Sequence, residues 1–133
     1  EVFLPLQPHF LALHGLSKLL RTIEIVAKRL NPTLRLTGVL FCMYDSGTRL
    51  AAEVSSDVYE FFAQRSTSDT VWAYVKNFKT NIRRNIRLAE APSFGQSIFQ
   101  YSAQSNGAED YRKLAQEVLG VAAEELEPLA RAA

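Results

Sequence analysis

At 133 residues, with 47% apolar and 22% charged residues, the chain has the length of at most one ordinary domain and the make-up of a folded rather than a disordered protein. Its net charge of +1 is unevenly placed: residues 76–87 are basic and the tail is acidic. The single Cys42 excludes an internal disulfide, which suits a reducing cytosol, and no apolar run reaches the ~18 residues of a membrane-spanning helix.

The start, EVFLPLQPHF, carries an acid and two prolines where a secretory leader needs basic and small residues. Residues 1–5 read as a short buried strand ended by Pro5 and Pro8, as if the chain begins inside a fold. From Phe10 to Leu30, Leu16, Leu19, Leu20, Ile23, Val26, Ala27 and Leu30 recur at helical spacing, with Lys18, Arg21, Glu24 and Lys28 on the other face. Asn31-Pro32 ends that helix. LRLTGVLFCMY, 34–44, is a strand whose near-continuous apolar run suits a parallel strand covered on both faces. Asp45–Thr48 is the loop at its carboxyl end. A second helix spans Arg49–Gln64 with Leu50, Val54, Val58, Phe61 and Phe62 inward. RSTSDT, 65–70, is a polar linker, and VWAYVKNF, 71–78, has strand composition. Residues 80–95 form a basic loop, and SIFQY, 97–101, is ambiguous. A last helix runs from Ala108 to Leu119 with Tyr111, Leu114, Ala115, Val118 and Leu119 on one face. The tail 121–133 is helical or frayed. Strands alternating with helices predict an α/β fold with a doubly wound, mainly parallel sheet and flanking helices. Ligands of such sheets meet the carboxyl ends of the strands, which puts loops 44–48 and 80–95 at the binding edge.

The segment TNIRRNIRLAEAPSFGQ, 80–96, packs Arg83, Arg84 and Arg87 together, with Lys76 and Lys79 upstream. The nearest acids along the chain are Glu90 and Asp69. Two readings stand: a solvated face, or a surface that meets something negative. Glu90 is expected to pair with an arginine or cap the turn. Asp45 serves either as an Asx-type loop cap or as a ligand contact. Cys42 reads as a small buried residue, and Trp72 and Tyr74 as strand packing rather than a base-stacking platform. His9 and His14, five apart, are poorly spaced for a shared metal, and no metal site is expected.

Three stretches resemble one family. PLQPHFLALHGLSKLLRTIEIV is similar to the P-x-Q-P-E-x-x-A-L-x-G-L segment of ParA/Soj-type chromosome- and plasmid-partitioning ATPases. MYDSGTRL resembles their M-x-D-x-R-T-N-L loop. RNIRLAEAPSFGQSIFQYSAQSNGAEDY resembles their R-N-x-R-L-x-E-A-P-S-x-G segment and the ending that follows. The resemblance covers most of residues 1–120 and only the carboxyl-terminal half of the family. It implies the matching half of a doubly wound, mainly parallel P-loop NTPase sheet. The family's phosphate-binding glycine-rich loop has no counterpart here, since no G-x-x-x-x-G-K-S/T occurs. ATP and Mg²⁺ are thus implied for the intact family protein and none for this chain alone, which is not expected to hydrolyse ATP by itself.

The resemblance implies an adenine-side role for Cys42, Met43 and Asp45 and for Ile82, Arg83 and Arg84. It implies DNA contacts for Arg87, Arg49 and Arg84. Cys42 stands where the family has Thr or Asn, Arg83 where it has Pro, and Gly47 where it has the Arg of R-T-N-L, while residues 66–75 look inserted. The implied partners are nonspecific DNA, a ParB-type protein and a second copy of the complete chain. No membrane partner is implied, and the location is cytoplasmic and nucleoid-associated. Alternatives are a truncated, non-catalytic DNA- or protein-binding relative, or a MinD-like positioning ATPase. The latter type ends in a basic amphipathic helix, whereas Glu124, Glu125 and Glu127 dominate this tail.

Half of a doubly wound sheet leaves a strand edge and an apolar face open, and such surfaces pair or aggregate. The chain by itself is therefore expected to self-associate or to unfold at low denaturant. Urea unfolding over a range of protein concentrations checks this: a sharp two-state transition independent of concentration counts against it.

Overall fold

The computed structural model describes residues 1–120 apart from Phe10 and Ser66, so the tail 121–133 lies outside the described residues. The chain divides into two compact units, one of residues 1–77 and one from Phe78 onward.

The first unit runs β1 (Val2–Leu6), α1 (Ala12–Arg29), β2 (Leu36–Tyr44), α2 (Arg49–Arg65) and β3 (Lys76–Asn77). β1 and β3 both pair with β2 in parallel, as strands joined by helical crossovers must. Val2 pairs with Leu36 but Phe3 with Gly38, so β2 carries one extra residue, Thr37. This bulge resets the alternation along the strand. Leu36, Val39 and Phe41 consequently share one cluster with Leu4, Leu16, Leu20, Ile23, Val54, Val58, Phe62 and Trp72. Leu40 is buried outside that cluster, as the two-residue period of the pleat requires. The unbroken buried run Gly38–Phe41 is the signature expected of a strand covered on both faces.

Four expectations are corrected here. β1 continues through Pro5 to Leu6, because an edge strand tolerates a residue without an N–H. α1 begins at Ala12 rather than Phe10. In α2 the inward stripe is Ala51, Val54, Val58 and Phe62, while Leu50 is 47% exposed. Thr48 caps the helix, its Oγ1 accepting from the Ala51 N–H at 3.3 Å, and Leu50 falls off the buried line by about 100°. The apolar run 71–78 is mostly turn: the Ala73 and Val75 N–H groups bond the carbonyls of Thr70 and Trp72, leaving a strand of two residues. Trp72 packs into the core as expected, but Tyr74 is 81% exposed.

The second unit runs β4 (Ile82–Arg83), α3 (Ile86–Glu90), a 3-10 turn (Ala91–Phe94), α4 (Ile98–Tyr101) and α5 (Asn106–Leu119). The expected basic loop is therefore largely helical. Asn85 caps α3, accepting the Arg87 N–H at 2.8 Å. Gly95, at φ 64°, closes the 3-10 turn through a 3.0 Å bond from its N–H to the Pro92 carbonyl. Ser97 and Gln100 form a capping box on α4. Ser105 caps α5, which begins at Asn106, two residues ahead of the expected start.

The apolar stripe expected inward on α5 is buried only in part, with Leu114 half-buried and Ala115 exposed. Tyr111, Val118 and Leu119 are exposed, and the buried residues are Gly107, Ala108 and Asp110. Gly107 is required by close packing, since a Cβ there would lie 2.7 Å from Leu88 Cγ and 2.9 Å from Cδ1. Gly107→Ala is expected to destabilise by about 1–2 kcal/mol, the overpacking strain exceeding the gain in helix propensity. Urea unfolding of a double-mutant cycle with Leu88→Ala checks this: the alanine should cost less once Leu88 is truncated, and equal costs in both backgrounds refute the packing account.

Candidate functional site

The acids missing from the neighbourhood of the arginines in sequence are supplied by α5. Asp110 and Glu117 lie seven residues apart, two helical turns, and so share a face. Glu117 accepts the backbone N–H of Lys79 at 2.7 Å and of Thr80 at 2.9 Å, one on each carboxylate oxygen. Asp110 accepts the Arg83 N–H at 2.9 Å. The Arg83 guanidinium donates to the same carboxylate from Nε, 3.0 Å from both oxygens, and from Nη2, 2.7 Å from Oδ1. Nη2 also reaches Glu109 Oε2 at 3.0 Å, and Lys113 holds the other Glu109 oxygen at 2.6 Å. This fork-on-carboxylate geometry is the strong form of an ion pair. Asp110 is buried, while the Arg83 side chain is 40% exposed.

The hydrogen bonds that Arg83 donates to Asp110 and then to Glu109 raise its pKa and fix its charge. Lys113, and after it Arg83, hold the Glu109 carboxyl below its ordinary value. Burial pushes Glu117 up, but the N–H groups of Lys79 and Thr80 outweigh it and leave the carboxyl below the usual range.

A second pair sits on α3. Arg87 Nη1 donates to Glu90 Oε2 at 2.8 Å, and the Tyr101 hydroxyl donates to the same oxygen at 3.0 Å. Glu90 thus pairs with an arginine as expected, and Arg87 and then Tyr101 hold its carboxyl low. Phe94 stacks on Tyr101 with ring centroids 5.1 Å apart, although Phe94 is 64% exposed. Arg84, between the two pairs in sequence, is exposed and makes no ion pair among the described residues. Ile82 is buried and offers a ligand only its backbone.

In the first unit, Cys42 is half-buried near the end of β2, and burial pushes its thiol pKa up. Met43 is 53% exposed with a φ of 52°, a left-handed conformation uncommon for a residue with a side chain. Asp45 Oδ1 accepts the Gly47 N–H at 3.1 Å, so the Asx-turn reading of Asp45 is realised. Arg49 is the exposed first residue of α2. Sequence reasoning passed over Asp110, Glu109, Glu117 and Tyr101. The signal available was the seven-residue spacing of Asp110 and Glu117 on a helix otherwise read by its apolar stripe.

A parallel sheet with flanking helices and an arginine segment held by carboxylates defines an α/β protein with a cationic surface segment. No known family profile matches the chain. Over 119 residues it is 44% identical to the chromosome-partitioning ATPase Soj of Treponema pallidum, an alignment covering 90% of this chain and 43% of that protein. It is 45% identical over 118 residues to the chromosome-partitioning ATPase Soj of Thermus thermophilus, covering 89% and 43%. It is 43% identical over 118 residues to the sporulation initiation inhibitor protein Soj of Bacillus subtilis, covering 89% and 42%. The chain is therefore a homologue of the Soj/ParA chromosome-partitioning proteins over about nine-tenths of its length, and it spans about two-fifths of the length of these relatives.

Glu90, Glu109 and Glu117 have folded-state pKa values below the ordinary 4.5. A depressed carboxyl contributes stability that is complete above its unfolded value and lost as pH falls through its folded value. Unfolding free energy is thus expected to fall on acidification below about pH 4.5, and Glu117→Gln to flatten that decline. Urea midpoints between about pH 6 and pH 3 check this; a mutant profile parallel to wild type would remove Glu117 from the account.

Proposed function

We propose that the chain is part of a chromosome- or plasmid-partitioning ATPase and that Arg84 and Arg87 face the phosphates of nonspecific DNA. The observation that carries this reading is the R-N-x-R-L-x-E-A-P-S-x-G stretch, Arg84–Gly95, folded as a capped helix with Arg84 and Arg87 exposed. Relatives that share the chain at 43–45% identity are named as chromosome-partitioning or Soj proteins. In this reading the whole protein binds ATP with Mg²⁺, pairs with a second copy and responds to a ParB-type partner.

Arg49, exposed at the start of α2, is a further phosphate contact. Cys42, Met43 and Asp45, at the end of β2, are adenine-side residues in this reading. The left-handed backbone of Met43 supports a nucleotide role for the strand end, because such conformations concentrate at ligand-binding positions. The sequence holds no phosphate-cradling G-x-x-x-x-G-K-S/T motif, so this chain by itself is not expected to turn ATP over.

Fluorescence anisotropy of a labelled random-sequence duplex across a salt series tests the DNA reading. Binding is expected with a Kd of ~10⁻⁴–10⁻⁶ M near physiological salt, weakening steeply as salt rises. Arg87→Ala should loosen it. Absence of binding, or binding indifferent to salt and to Arg87, would falsify a DNA surface on this chain.

A further inference from the structure

Three guanidiniums lie within five residues, and each has a different set of partners. Arg83 is tied to both oxygens of a buried carboxylate and to Glu109. Leaving that site would strand the Asp110 charge away from water, the most costly way to break an ion pair. Arg87 has a single acidic partner among the described residues, Glu90, three residues on, with side chains 52% and 35% exposed. Exposed pairs of this kind are weak and give way to a competing anion. Arg84 has no acidic partner among the described residues and is exposed.

We propose that these carboxylates rank the three arginines toward a phosphate backbone: Arg84 binds it directly, Arg87 binds it in competition with Glu90, and Asp110 withholds Arg83 from it. This deepens the reading of the segment as a DNA surface and rests on it. Glu90 is then a restraint on affinity rather than a cap. Tyr101 and Arg87 share one of its oxygens, so Tyr101 keeps the carboxylate where it can hold the arginine.

The ranking is read from salt slopes. Each phosphate neutralised on duplex DNA contributes about 0.9 to the slope of log K against log salt. Arg84→Gln is expected to lower the slope by about that amount. The pair Arg83→Gln with Asp110→Asn removes one charge of each sign and leaves no buried ion behind; it should leave the slope unchanged, with folding checked by circular dichroism. Glu90→Gln should tighten binding several-fold, and that gain should vanish in an Arg87→Gln background. A gain that persists there reflects only the lost negative charge and overturns the competition. A slope lowered by the Arg83/Asp110 pair, or untouched by Arg84→Gln, overturns the ranking while leaving the DNA reading intact. No salt-dependent binding of the labelled duplex by the wild-type chain overturns both.

Discussion

The second unit is organised by one buried carboxylate. Asp110 lies in a helix with little access to water, where an ionised acid persists only if its lone pairs are filled by donors. Arg83 fills them from its backbone N–H and from two guanidinium nitrogens. That requirement brings Asp110 and Arg83 together. With Asp110 facing Arg83, Glu117 two turns on comes to the Lys79 and Thr80 N–H groups, and the apolar Tyr111, Val118 and Leu119 are left exposed. Well-packed apolar residues would give comparable stability. What the ion pair adds is a definite register between helix and strand, because a bidentate fork fits its carboxylate in one arrangement only.

The first unit follows the other organising rule, burial of a strand on both faces. β2 carries the longest apolar run among the described strands, and one inserted residue, Thr37, sets which of its side chains join the helices. Its buried stretch stops at Phe41, and exposure rises through Met43 and Asp45. The backbone turns left-handed at Met43 and is stapled by the Asp45 turn before α2 begins at Arg49. A strand end of this form is held by local hydrogen bonds rather than by packing, which leaves its outward side chains free for a ligand.

These two rules differ in how visible they are in sequence. Apolar periodicity over many residues is local information, and it gave α1, β2 and α2 with errors of a residue or two at their ends. The parallel sheet followed from the alternation of elements. Short elements failed: residues 80–95 read as loop because α3 and the 3-10 turn are each about one turn long and owe their form to Asn85, Pro92 and Gly95 rather than to a repeating pattern. The stripe expected inward on α5 is half-buried at Leu114 and otherwise exposed, and the buried Asp110 carried no local signal because its partner Arg83 lies 27 residues away. The basic run itself was conspicuous and its lack of local acids was legible. Its partners were not, since nothing local links Arg83 to Glu109 and Asp110.

The distinction between local and distant acids bears on what such a surface can do. A run of arginines with acids interleaved along the chain would present little net field. Here two of the three guanidiniums are answered by carboxylates, one from beneath and one from the side, so the charge offered outward is smaller than the sequence run implies. At physiological salt that field decays over about 8 Å, so only groups able to touch a phosphate contribute to binding. Under the proposed function, a surface with one arginine unpaired among the described residues and one restrained arginine is weak singly. It gains from repetition, because a second copy held alongside the first binds at high effective concentration without any new kind of contact. A carboxylate restraint of the Glu90 type then has a physical purpose: it keeps the single chain below the affinity at which it would stay on DNA alone, and leaves occupancy to be decided by how many copies are joined.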